Sequence, residues 1–151
     1  MRVYLVIIDE TEEALAAVRF ASRRAAGTEG AVHLLAIVPP QPFNAFAGVQ
    51  ATIEDEARSR AETLVTAAAG NILSEHGRMP VIAVKLGEAE KVVREYLAEH
   101  PEVSALVLGA ARDGGPGPLV AYFAGTHAGQ LPCPVFVIPG SLSAEEIDRL
   151  S

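Results

Sequence analysis

Two kinds of hydrophobic pattern alternate along the chain. Five short runs are apolar at nearly every position and rich in β-branched residues, which is typical of strands buried on both faces of a parallel sheet. These runs cover residues 3–8, 32–38, 81–84, 105–108 and 135–138. Between them, apolar residues return every three or four positions, the spacing of amphipathic helices. The alternation predicts an α/β fold, a three-layer α/β/α sandwich around five parallel strands.

Residues that favour the start of a helix indicate where two of the predicted helices begin. Proline is favoured at the first helical position, so the helix before the last strand is expected to begin near Pro118. Ser143 and Glu146 have capping-box spacing and predict a short C-terminal helix. We therefore expect one domain over residues 1–140, followed by a C-terminal tail over residues 141–151.

The amino-acid composition excludes several classes of protein. The chain of 151 residues is 50% hydrophobic with a mean hydropathy of +0.26, which excludes a disordered chain, and no apolar run approaches the ~20 residues of a membrane span. Twelve basic against 19 acidic residues give a net charge of −7, and Arg23–Arg24 is the only basic pair, so no nucleic-acid partner is expected. The single Cys133 and the absence of a signal segment favour a cytoplasmic location without a membrane partner.

Candidate chemistry is sought where open parallel sheets bind ligands, beyond the carboxyl ends of their strands. Asp9 ends the first strand. One interpretation makes it an N-cap or near-cap carboxylate, since Asp9 and Glu12 have capping-box spacing, and local sequence favours this. The other makes it a carboxylate that accepts hydrogen bonds from a ligand's ribose or amine groups.

The loop 109–118 has four glycines between a strand and a helix. Its backbone amides could approach a phosphate, or its glycines could only supply unusual dihedral angles in a connector. Phe43 and Phe46, in the long loop 39–50, are expected to pack over the carboxyl ends of the first two strands. No catalytic or metal-ligating constellation is found, and the four histidines (His33, His76, His100 and His127) are expected at helix ends or on the surface.

Four segments share their order and spacing with one known family. They are residues 6–14 (VIIDETEEA), 84–89 (VKLGEA), 107–109 (VLG) and 131–138 (LPCPVFVI). Together, over residues 2–138, they resemble the universal stress protein family. The resemblance implies the strand order 3-2-1-4-5, with a crevice between strands one and four.

The resemblance also implies a nucleotide site, because some family members bind ATP in that crevice. They use the aspartate that ends strand one, a residue that ends strand two, and a Gly-x2-Gly-x9-Gly-Ser/Thr motif. The corresponding candidates in this chain are Asp9, Val38, Gly109, Gly115, Gly125 and Thr126.

The motif is altered in this chain, because Arg112 occupies the position of the second glycine. One placement restores Gly115-x9-Gly125-Thr126 but leaves only residues 126–131 for the helix before strand five. The other starts the helix near Pro118 and puts Ala121–Tyr122 where Gly-Ser should be. Crossover geometry favours the second placement, since a βαβ connection needs ~10 residues or more.

The resemblance therefore predicts a stress-response binding or regulatory protein with a degenerate nucleotide crevice. We expect a homodimer through strand 134–138, because this apolar strand lies at the edge of the implied sheet. No cofactor is expected. The alternative is an ATP-binding protein with slow nucleotide hydrolase activity, in which carboxylates such as Asp9 hold Mg²⁺ with the phosphates.

Overall fold

The computed structural model describes residues 1–40 and 47–151, and of residues 47–51 it describes the backbone only. Phe43 and Phe46, and the packing expected of them, lie outside the described residues. The strands are β1 (Val3–Ile8), β2 (Ala31–Val38), β3 (Val81–Leu86), β4 (Ala105–Ala110) and β5 (Val135–Pro139). The α-helices are α1 (Glu12–Gly27), α2 (Ala47–His76), α3 (Ala89–Glu99), α4 (Pro118–Ala121) and α5 (Ala144–Leu150).

The five strands form one parallel sheet in the order β3-β2-β1-β4-β5. This confirms the predicted fold class and strand order. Central β1 pairs with β2 on one side and with β4 on the other. Strands β2 and β3 are thus added to one side of β1 and strands β4 and β5 to the other, so the strand order reverses at β1. A ligand crevice in such a sheet opens at the carboxyl ends of β1 and β4.

Helices cover both faces of β1, β2 and β4, which are largely buried. The expectation of burial on both faces is wrong for β3, an edge strand that is largely exposed, with Val81 and Ile82 among its exposed residues. Side chains alternate between the two faces along a strand. Tyr4, Val6 and Ile8 belong to the core beneath α1, α2 and α5. Val3, Leu5 and Ile7 belong to the core beneath α3 and the crossover that follows β4. No helix among the described residues is both long and apolar enough to cross a membrane.

The C-terminal helix α5 packs against α1. Its capping box forms as predicted, with Ser143 and Glu146 each accepting a hydrogen bond from the other's backbone N–H. Ile147 is buried in the core. Asp148 accepts two hydrogen bonds of 2.7 Å from the guanidinium of Arg19 and forms an ion pair with Arg23. The tail is thereby held on the α1 face of the sheet.

The crossover from β4 to β5 departs from a regular helix. It begins at Pro118 as predicted, but only the four residues of α4 are α-helical. A π-helical turn follows over Tyr122–Thr126 and a 3₁₀ turn over Ala128–Gln130. Likewise, the long connection after β2 is shorter than predicted, since α2 already begins at Ala47.

Candidate functional site

Two neighbouring cavities open at the carboxyl edge of the sheet, and Asp9 lines both. The first, of about 170 Å³, lies between the start of α1 and the start of α4, with Gly109 on its wall. The second, of about 380 Å³, lies between β2 and α2, with Val38 on its wall. The structure therefore brings Asp9, Val38 and Gly109 together at the switch point of the sheet.

Asp9 is held by the residue that caps α1. Its Oδ1 accepts hydrogen bonds from the backbone N–H of Thr11, at 2.9 Å, and from the Thr11 hydroxyl. The N-cap itself is Thr11, whose Oγ1 accepts from the N–H of Ala14 at 3.2 Å. Asp9 is thus a near-cap carboxylate and not the cap, because the chain enters the helix two residues later. It remains exposed at the crevice.

Gly109 allows β4 and α1 to approach closely. A Cβ atom at this position would overlap the backbone carbonyl of Glu13. The glycine thus has a packing role in this chain, whatever lies in the crevice.

Gly115 lies in the loop next to the smaller cavity, with a φ of +93° that L residues rarely adopt. Its neighbour Pro116 lines that cavity, and Gly117 is the N-cap of α4. Arg112, the residue that replaces the motif's second glycine, is exposed and lies 3.7 Å from the carboxylate of Asp113. The loop therefore offers backbone groups but no cation among the side chains that line the smaller cavity.

Gly125 and Thr126 are not part of the crevice as the structure describes it. They end the π turn, are exposed, and line neither of the two cavities. Seven residues separate Gly125 from the helix start at Pro118, which corresponds to about 10 Å along a helix axis. The structure thus separates these two candidates from Asp9, Val38 and Gly109. A ligand-binding role for any of the six residues remains a prediction.

The electrostatics differ between the two cavities. Asp9 and Glu13 are among the residues that line the smaller one, Glu13 with its backbone carbonyl next to Gly109, and none of its described lining residues is a lysine or arginine. The larger one combines apolar residues with Asp9, Glu10 and Arg60. The smaller cavity thus has acidic but no basic residues in its described lining, whereas the larger one has both.

The histidines are placed partly as expected. His76 ends α2 and His100 caps the end of α3, while His127 follows the π turn. The expectation for His33 is wrong: its ring is 7% exposed and shares a 2.8 Å hydrogen bond between Nδ1 and the hydroxyl of Tyr96. The sequence signal was available, since a lone histidine inside an apolar strand that is covered on both faces must be buried.

Solved structures with a similar fold are universal stress proteins. UspA from Lactobacillus plantarum superposes with a TM-score of 0.76 at 18% identity, over 91% of this chain and 97% of that one. The Archaeoglobus fulgidus protein in complex with dAMP gives 0.63 at 16%, over 91% and 98%. The Arabidopsis thaliana protein with AMP bound gives 0.60 at 14%, over 92% of each. At these identities the likeness shows a shared fold.

A comparison at the level of sequence identifies the family. No curated protein matches it. The model of the universal stress protein family matches residues 1–139, which span all five strands and the crevice between β1 and β4. The chain therefore belongs to the universal stress protein family.

Proposed function

We propose that this chain is a stress-response binding and regulatory protein whose crevice accepts a nucleoside but holds a triphosphate poorly. The observation that carries the proposal is the contrast between the two cavities that meet at Asp9. One has room and apolar walls for a base, whereas the other offers backbone groups but no basic side chain in its described lining to offset the charge of a triphosphate. The single cysteine suits a reducing cytoplasm as the place of action.

The larger cavity has the properties of a base pocket. Its volume of about 380 Å³ lies within the range of small-molecule sites. Ile37 and Val38 line one side and Ala61 and Leu64 of α2 the other, so a planar ring can lie between apolar walls. Asp9 at the rim can accept hydrogen bonds from a sugar hydroxyl. The dAMP and AMP complexes of two structural relatives support a nucleoside-sized occupant.

The smaller cavity is poorly suited to a triphosphate. Glu13 and Asp9 are both among its lining residues and none of the described ones is basic, so no cation offsets their charges against each added phosphate group. Gly125 and Thr126, which the family motif would place against phosphates, lie at the far end of the π turn. We therefore expect ATP to bind no tighter than about 100 μM, which corresponds to about 5.5 kcal/mol.

Slow nucleotide hydrolysis is the rival function, with Mg²⁺ held by Asp9 and the phosphates. Such a complex needs only one or two protein carboxylates, because phosphates and water supply the other oxygens. Asp9 lies at the crevice with Oδ1 held by Thr11, but Gly125 and Thr126 line neither crevice cavity. We favour a binding protein because the part of the family motif that would hold the phosphates is not assembled at the crevice.

We further propose that the protein is a homodimer through β5. This strand is an edge of the sheet, and Val137 on it is 38% exposed. Phe136 packs on Tyr4 and Phe20 within the chain, and Ile138 is buried in the core. The outward-facing contact is therefore expected around Val137 and the strand backbone, while α5 packs on α1.

Calorimetric titration with AMP and ATP tests the nucleoside-binding proposal. We expect AMP to bind at least about fivefold more tightly than ATP, since it places less negative charge near Glu13. Asp9→Ala, which removes the acceptor for the sugar hydroxyl, should weaken the binding of adenosine, which carries no phosphate, and Asp55→Ala at an exposed position of α2 serves as the matched control. Low-micromolar ATP binding, or no AMP binding by the wild-type protein, would overturn the proposal.

A further inference from the structure

A third cavity lies near the amino ends of the strands, at the end of the sheet opposite to the nucleotide crevice. It has a volume of about 600 Å³, larger than either crevice cavity and within the usual range of ligand sites. The C-terminal half of α3 forms one wall, and the π turn with the 3₁₀ turn forms the other. Leu97, Val103 and Leu131 give it an apolar floor near the amino ends of β4 and β5.

The cavity exists because the crossover helix is short. Its helical stretch from Pro118 to Thr126 has four α-helical and five π-helical residues. Such a stretch spans about 13 Å at most, at 1.5 Å per residue. The six-residue strand β4 that it crosses spans about 20 Å. The helical stretch therefore ends before the amino end of β4, and the cavity lies between α3 and the 3₁₀ turn that follows this stretch.

The π turn places two rings on one wall of this cavity. The backbone N–H of His127 donates to the carbonyl of Tyr122, five residues earlier, at 2.9 Å. In a regular α-helix, residues five apart point about 140° away from each other. Here the wider turn stacks the two rings, with centroids 4.1 Å apart and planes 28° apart. Single π turns are frequent at functional sites.

The charge of the cavity is opposite to that of the chain. The protein carries a net charge of −7, yet none of the described side chains that line this cavity is a carboxylate. Arg94 lines it, with its guanidinium carbon 5.9 Å from the centre of the Tyr122 ring. No ion pair to Arg94 occurs in the part of the chain that the structure describes.

A histidine adds a second polar group to the lining. Nδ1 of His100 lies 2.9 Å from the carbonyl oxygen of Tyr96. Because a carbonyl oxygen can only accept, Nδ1 carries a hydrogen, and this fixes the ring against α3. In the neutral ring Nε2 can then only accept a hydrogen bond, from a ligand hydroxyl or from water, so it does not serve as a donor to an anion.

We propose that this cavity binds a small organic anion with a planar apolar body, of the aryl carboxylate class. The carboxylate pairs with Arg94, because a guanidinium forms two parallel hydrogen bonds to such a group. The aromatic ring lies on the Leu97 and Leu131 floor beside Tyr122, where ring stacking adds to burial. The site is separate from the nucleotide crevice, and its occupancy does not depend on the function proposed for that crevice.

The test is a nuclear magnetic resonance titration of the full chain with 2-naphthoate and with the uncharged 2-naphthalenemethanol. We expect 2-naphthoate to bind about tenfold more tightly, with shifts at residues of α3 and the π turn. Arg94→Gln should bring naphthoate down to the affinity of the alcohol. Arg58→Gln, an exposed arginine on α2, should change neither. AMP binding at the crevice should be the same in all variants.

A cavity-filling variant provides a second, independent readout. Ala98 is exposed on α3 and lines the cavity, so Ala98→Trp should block both naphthalene ligands while thermal unfolding stays close to that of the wild type. The proposal is overturned by equal affinity for the acid and the alcohol, by an Arg94→Gln variant that binds naphthoate as the wild type does, or by no saturable shift up to about 5 mM.

Discussion

Nδ1 of His33 in β2 and the hydroxyl of Tyr96 in α3 lie 2.8 Å apart inside the core. The pair belongs to a small aromatic cluster. The ring of His100 stacks on Tyr96 with centroids 3.9 Å apart and lies 5.8 Å from His33. Glu102 is the carboxylate that acts on both buried groups. This cluster ties the sheet to α3 and makes the stability of the protein depend on pH at both ends of the range.

The loss of stability at acid pH is expected to depend on His33. Burial, reinforced by the charge of His100 and opposed by Glu102, lowers the pKa of His33 below its ordinary value. The unfolded chain therefore takes up a proton below about pH 6.5 before the folded chain does, so the free energy of unfolding falls as the pH drops. We expect a slope of up to about 1.4 kcal/mol per pH unit from this group. Urea unfolding between pH 7 and 5 measures it.

The matched variants are His33→Asn and Tyr96→Phe. His33→Asn should flatten the acid slope, whereas Tyr96→Phe should lower stability at neutral pH but keep the slope, because His33 stays buried.

Burial also raises the pKa of Tyr96 to about 12. The unfolded chain loses that proton above pH 10 and the folded chain does not, so stability also falls between pH 10 and 12. Tyr96→Phe should remove this alkaline loss. Identical pH profiles for all three proteins would contradict the assignment.

Gly109 is expected to be the least replaceable glycine of the crevice. Gly109→Ala would drive a methyl group into the carbonyl of Glu13, and backbone cannot yield as a flexible side chain does. We expect a loss of about 1–3 kcal/mol in the free energy of unfolding, the usual cost of overpacking. Gly125→Ala is the control, since nothing lies within 4 Å of the added atom, and it should change stability by less than about 0.5 kcal/mol. Equal effects of the two substitutions would contradict the close approach of α1 to β4.

Association through β5 is tested with the two edge strands as a matched pair. Val137 on β5 and Val81 on β3 are 38% and 49% exposed, so each accepts a lysine without disturbing the core. In sedimentation at about 100 μM, we expect the wild type and Val81→Lys to be dimers and Val137→Lys to be a monomer. An interface of about 8 kcal/mol would be saturated at that concentration. A monomeric wild-type protein at this concentration refutes the dimer.

The strands and two of the helix starts were predictable because they depend on local pattern, whereas the start of α2 and the irregular crossover after β4 were not. Apolar runs gave all five strands, Pro118 gave the start of the crossover helix, and the Ser143 capping box gave α5. The order of the strands came from the family resemblance, since parallel pairing joins residues far apart in sequence. Asp9 was a candidate already because it follows the carboxyl end of the first strand, whereas Val38 came from the family resemblance.

Other features depend on contacts that the sequence does not display. The π turn places His127 against Tyr122, a register set by packing on the sheet and not by the propensity of those residues. The approach of Glu13 to Gly109 joins positions 96 residues apart, so the glycine was interpreted as part of a phosphate motif or of a connecting loop, and its packing role was missed. The pairing of His33 with Tyr96 spans 63 residues.

The proposal that the crevice accepts a nucleoside but holds ATP poorly predicts what freshly purified protein contains. Ligand released by denaturation and identified by mass spectrometry should contain no stoichiometric ATP, because a ligand with a Kd of about 100 μM or weaker is lost during purification. Recovery of about one ATP per chain, abolished by Asp9→Ala, would contradict the account.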